Sequence, residues 1–96
     1  MTSRSKKGSA CVFRDLGFSP AEAANLRVRA AMMNALIAYI EQRRLTQAKA
    51  AELLGVTQPR ISDLMRGSIH LFSIDTLVNL LAAAGLHVEV KVRKAA

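Results

Sequence analysis

Apolar residues recur three and four positions apart at Leu26, Ala30, Met33, Leu36, Ile37 and Ile40, the spacing that lays one buried stripe along a helix. The stripe follows Ser19, Pro20 and Glu22. A hydroxyl cap, a proline where no amide donor is needed and a carboxylate three residues after the cap mark a helix start. A helix is therefore predicted from Pro20 to the polar group Gln42, Arg43 and Arg44, either as one long element or as two joined near residue 28. Thr46 caps a short helix over Gln47 to Leu54, and Gly55 stands where a left-handed residue would end it. Thr57 caps the next, Gln58 to Arg66, with Pro59 in its first turn and Gly67 closing it. Ser73 caps a fourth over Ile74 to Ala84, with Asp75 complementing its positive end and Gly85 terminating it. The period then changes to two. Leu86, Val88, Val90 and Val92 alternate with His87, Glu89, Lys91 and Arg93, which predicts a half-buried strand over 86–92.

The residues before the first helix divide in two. Residues 1–10, MTSRSKKGSA, are basic and aperiodic, so a mobile tail is expected over 1–11. The stretch VFRDLGF, residues 12–18, holds Val12, Phe13, Leu16 and Phe18 but is too short for a core of its own, which predicts a strap packed on the domain. One domain over 12–92 and a short tail over 93–96 complete the chain. Composition sharpens the fold class: 51% of residues are hydrophobic but only 4% aromatic, so the core must be built from Ala, Leu, Ile, Val and Met. That suits close-packed helices. The expected class is all-α, with four to five helices and the short C-terminal strand. Met32 and Met33 are read as core filling.

Fourteen Lys and Arg against seven Asp and Glu give a net charge of +7, which points to a polyanionic partner, nucleic acid first. The longest apolar run, residues 35–40, falls far short of the ~20 residues that span a bilayer, so no membrane partner is expected. A lone Cys11 cannot form an internal disulfide and fits a reducing compartment, the cytoplasm. No phosphate loop, nucleophile beside a base, paired carboxylates or metal-ligand cluster stands out, and His70 and His87 are single histidines. The expectation is a non-enzyme without metal or cofactor.

Two short helices joined by a tight glycine turn, residues 46–67, have the proportions of a helix-turn-helix. Ala51 falls where the helices cross, and Val56, Ile61 and Leu64 fall on the inward side. At 100° per residue, Pro59, Ser62, Asp63 and Arg66 take the outward arc, with Gln58 and Arg60 flanking it at the N-terminal end. Base contacts are thus expected from Thr57, Gln58, Pro59, Arg60, Ser62 and Asp63, and phosphate contacts from Arg43, Arg44, Lys49 and Arg66. For Asp63 two roles stay open: accepting from cytosine N4, or pairing with Arg60 or Arg66.

The segment TQAKAAELLGVTQPRISDLMRG resembles the Cro and phage-repressor (XRE) type of helix-turn-helix, a lambda-repressor-like fold, matching at Gln47, Ala51, Gly55, Val56, Ile61 and Leu64. The continuation SIHLFSIDTLVNLLAAAGLHVEVKV resembles small HigA-like antitoxins, so the likeness covers roughly residues 12–92. It implies that Gln47 contacts a backbone phosphate and steadies Gln58, whose amide suits the N6 and N7 edge of adenine. Pro59 departs from the pattern, since many phage repressors place a polar base reader there, and so does the acid at Asp63. The resemblance implies a double-stranded DNA repressor, as the antitoxin of a type II toxin–antitoxin pair that regulates its own operon, with an RNA-cleaving toxin as protein partner. A stand-alone regulator or a protein-interaction adaptor is the alternative, and an RNA binder would want exposed aromatics for stacking. The strand Leu86, Val88, Val90 and Val92 finds no convincing partner in its own chain. Pairing with a second copy in a homodimer would set two recognition helices about 34 Å apart on a near-palindromic operator; pairing with the strap is the other solution.

Overall fold

The computed structural model of the chain describes residues 17–94, so the expected tail, the strap up to residue 16 and the last two residues lie outside the described residues. Four α-helices follow in order: α1, Pro20–Gln42; α2, Gln47–Leu54; α3, Gln58–Met65; and, after a 3₁₀ turn at Ile69–Leu71, α4, Ile74–Ala83. Each helix starts on the hydroxyl expected. At α1 the cap is reciprocal: the Glu22 amide donates to Ser19 Oγ at 3.1 Å and the Ser19 amide donates to Glu22 Oε1 at 2.8 Å. Thr46 accepts from the Lys49 amide, Thr57 from the Arg60 amide and Ser73 from the Thr76 amide. Between one and two helices for residues 20–42, the structure holds one of 23 residues. Residues 27–30 contain neither proline nor glycine, so nothing there interrupts the hydrogen-bond ladder.

All four helices end alike. The amide of the residue after a left-handed position reaches back to close the last turn: Leu45 to the Ile40 carbonyl, Val56 to Ala51, Ser68 to Asp63 and Leu86 to Leu81, at 2.9–3.1 Å. Three of these left-handed positions are glycines, Gly55, Gly67 and Gly85, as the sequence predicts. The fourth is Arg44, at φ 55°. Between helices the chain spends only three or four residues on each of the first two connections.

The core is aliphatic around one aromatic ring. Leu36 of α1, Ile61 and Leu64 of α3, Phe72 just after the 3₁₀ turn and Leu77 of α4 are fully buried, with Met32, Met33 and Ile40 beside them. Ala50 and Ala51 of α2 are also buried, and a larger side chain there would force the helices apart. Arg29 ties α1 to the 3₁₀ turn: its Nη1 donates to the carbonyls of Ile69, at 3.1 Å, and Phe72, at 3.4 Å, while Nε donates to Asn25 Oδ1 at 2.6 Å.

The expected strand is not formed. Residues 86–94 take no regular secondary structure and belong to no ladder, so the regular elements of the described residues are all helical. The alternation is nevertheless expressed at its start, because Leu86 and Val88 pack half-buried against the core beside Met32 and Leu81. Val90 and Val92 stand 81% and 88% exposed. A strand exists only through bonds to a neighbour, and the described residues form no ladder.

Candidate nucleic-acid interface

The two-helix unit is built from α2, the turn Gly55–Thr57 and α3. Gly55, at φ 73°, turns the chain in a way a side chain would resist. Ile61 and Leu64 then anchor α3 to the core, which leaves its other side outward. Gln58 and Pro59 are exposed at its start, Ser62 and Asp63 are half-buried along it, and Arg66 is exposed at its end. Eight residues make a helix about 12 Å long, comparable to the ~12 Å width of the DNA major groove.

Gln47, Gln58, Pro59 and Ser62 line one open cleft of 340 Å³ between the starts of α2 and α3. Two glutamine amides, each able to donate and accept, thus share one hollow at the positive ends of two helices. Pro59 brings no amide of its own, and its ring forms part of the cleft wall. The Thr57 hydroxyl is engaged as the α3 cap.

The charged residues are distributed differently. Arg66 lies along α3, with Nη1 donating to Ser62 Oγ at 2.8 Å and Nη2 paired with Asp63. Of the two roles open for Asp63, the unbound protein thus holds the pairing with Arg66. Arg60 is half-buried, its guanidinium 4.2 Å from the centre of the Phe72 ring. Arg43 lies 4.5 Å over the Tyr39 ring at the end of α1. Lys49 sits away from the glutamine cleft, beside Leu45, Glu52 and Leu53, and pairs with Glu52 at 3.5 Å. That pair is largely exposed and contributes little to stability. Arg44 is exposed on its left-handed backbone, two residues before the α2 cap.

Two residues absent from the sequence-based expectation shape this surface. Phe72, 1% exposed, supplies the ring that carries Arg60. Arg29 holds the backbone of the turn from which Phe72 emerges. An aromatic five residues after Gly67, in a chain with few aromatics, is the one sequence signal that could have found Phe72; the Arg29 bonds span 40 and 43 residues and leave no local trace. Between the start of α1 and the 3₁₀ turn, Phe18, Leu26, Arg29, Ile69 and His70 line a larger groove of 540 Å³. Among the described residues no group of three or more His, Cys, Asp and Glu side chains could hold a metal ion, and no helix is long and apolar enough to cross a membrane.

Comparison with known proteins agrees with this geometry. A family model described as a helix-turn-helix domain matches residues 12–93. A solved structure bearing the name XRE family transcriptional regulator is 37% identical to this chain, with a TM-score of 0.69, over 74% of this chain and 80% of that one. No curated protein matches the sequence.

Proposed function

We propose that this chain, which belongs to the XRE-type helix-turn-helix family of DNA-binding transcriptional regulators, is a sequence-specific repressor that reads a near-palindromic operator as a homodimer. The observation that carries this reading is the cleft shared by Gln47 and Gln58. With α3 in the major groove, Gln58 faces base edges and offers a donor and acceptor together to adenine, while Gln47, at the first turn of α2, lies at backbone height where free helix amides attract phosphate. Thr57, Pro59, Ser62 and Asp63 present the rest of the reading edge, Arg60 flanks it, and Arg43, Arg44 and Arg66 supply phosphate charge. Lys49 lies on the opposite side of α2 and is the weakest of the proposed phosphate contacts. Gln58→Ala should cost about 1 to 3 kcal/mol on the operator and leave a scrambled duplex unaffected, whereas Arg43→Ala should weaken both alike. Titration of both variants on both duplexes at one salt concentration tests this; equal losses for Gln58→Ala on the two duplexes would remove the base-reading role.

Within that function we infer the antitoxin half of a toxin–antitoxin pair, acting in the cytoplasm on its own operon. The resemblance of residues 12–92 to HigA-like antitoxins supports it. So does the apolar exposure of Phe18, Val28 and Leu71, none of which lines the glutamine cleft. Co-expression with the product of the adjacent gene, scoring growth with the full chain, residues 11–96 and residues 19–96, tests the idea. Rescue by the first two forms alone supports a strap-mediated contact with an RNA-cleaving toxin, and a harmless neighbour that does not co-purify leaves a plain repressor.

A further inference from the structure

Residues 86–94 follow the last helix without a ladder partner among the described residues, and their sequence alternates an apolar row whose two halves differ. Leu86 and Val88 are seated on their own core, whereas Val90 and Val92 are almost wholly exposed. A hollow of 310 Å³ lies beside Leu86 and Val88, lined chiefly by apolar side chains, among them Met32, Ala35 and Leu81, and by His87. Exposed valines beyond a hollow of matching chemistry are the arrangement expected when the missing cover has the same sequence.

We propose that a second copy of this chain pairs here as an antiparallel two-stranded ribbon whose two-fold axis passes through Val90. The proposal rests on the homodimeric reading and adds its register. Residues directly opposite in an antiparallel pair point to the same face, so apolar must meet apolar and the axis must fall on a residue rather than between two. Axes at 86–88 leave Val92 opposite no residue of this segment, and axes at Val92 or Arg93 set Lys91 against Arg93 or Arg93 against its own copy, so three positions then compete. An axis at Glu89 sets Glu89 against its own copy, and an axis at Lys91 sets Lys91 against its own copy; like charges directly opposite are destabilising. An axis at Val90 sets Glu89 against Lys91 twice, and Val88 against Val92 twice, with Val90 against Val90. The Lys91 axis also sets Glu89 against Arg93 twice but keeps Lys91 against Lys91; only the Val90 axis joins Glu89 to Lys91 twice with neither set against its own copy, His87 then facing Arg93. It also brings Val92 of one copy beside Val88 of the other, at the mouth of the 310 Å³ hollow, and so covers both exposed valines.

Charge exchange tests the register in the full-length protein by sedimentation equilibrium, with circular dichroism to show that each variant keeps its helices. Glu89→Lys and Lys91→Glu alone should each weaken the dimer by about tenfold or more. The double variant should recover the wild-type constant, and an equimolar mixture of the two single variants should form heterodimers, because each then supplies the charge the other lacks. A second measurement is independent of charge: with Cys11→Ser as background, Val90→Cys should cross-link to its own copy on oxidation faster than Glu89→Cys or Lys91→Cys, since facing Cα atoms in such a ribbon lie within disulfide reach. A wild-type dimer with no recovery in the double variant, or with fastest cross-linking at 89 or 91, overturns the register and leaves the homodimer standing. A wild-type chain that stays monomeric overturns both.

Discussion

Replacing Arg44 by glycine should make the protein more stable and a weaker DNA binder at once. Arg44 occupies the left-handed position after α1 that Gly55, Gly67 and Gly85 occupy after the other three helices. Its carbonyl-side neighbour Leu45 makes the same closing bond, to Ile40 at 3.0 Å, so the local geometry already suits a glycine. A side chain in this conformation crowds the following carbonyl at a cost of about 1–2 kcal/mol. Glycine removes that cost but adds about 0.5–1 kcal/mol of freedom to the unfolded chain. The net gain is about 0.5–1 kcal/mol, or about 2 to 8 °C in melting temperature for a domain of this size. Arg44→Ala keeps the Cβ and therefore the crowding, so it should melt near wild type. On DNA the two variants lose the same cation, and the slope of log affinity against log salt should fall by about 0.9 for both. Differential scanning calorimetry and salt-dependent titration measure the two halves separately. If Arg44→Gly melts no higher than Arg44→Ala, the left-handed side chain costs nothing; if neither changes the salt slope, Arg44 does not contact phosphate.

Three further outcomes follow from contacts already described. Asp63→Asn frees Arg66 from its partner on α3, so binding to a scrambled duplex should strengthen and its salt slope steepen by about 0.9, with stability within about 0.5 kcal/mol of wild type; an unchanged slope argues that Arg66 never reaches DNA. Phe72→Leu keeps apolar bulk but removes the ring under Arg60, and should cost about 1–2 kcal/mol in urea unfolding, against no loss if the ring merely fills space that leucine fills as well. Arg29→Met preserves the stem but abandons the carbonyls of Ile69 and Phe72; about 2–3 kcal/mol should be lost and amides of the 3₁₀ turn should exchange faster, and unaltered exchange would detach Arg29 from the turn.

What the sequence made legible was what lies within a few residues of itself. Ser19, Thr46, Thr57 and Ser73 cap their helices because a cap is a bond across three residues, and the glycine ends are similarly local. Helix periodicity placed Ile61 and Leu64 inward and brought Gln58 and Ser62 to the cleft. Arg60 shows where such reasoning stops: a helical wheel sets it at the exposed end of α3, yet the ring of Phe72, twelve residues on, draws its guanidinium down. Lys49 likewise follows the rotation of α2, which turns it from Gln47 toward Leu53. The alternation of residues 86–92 was visible, but whether alternation becomes a strand depends on a neighbour that no single chain's local pattern contains. The exception at Arg44 was hidden for the opposite reason, since nothing in the residue type announces a left-handed backbone.

The brevity of the connections bears on the order of events after synthesis. Three or four residues join α1 to α2 and α2 to α3, and most close residue pairs lie near one another along the chain, while the most extensive helix packing, α1 on α4, joins its two ends. Loop closure of that length takes well under a microsecond, and domains dominated by such near contacts fold within microseconds to milliseconds. If the proposed pairing with a second copy holds, that step is diffusive and slows with dilution, so each chain would complete its helical body first and carry the exposed valines of its last segment until a copy is met.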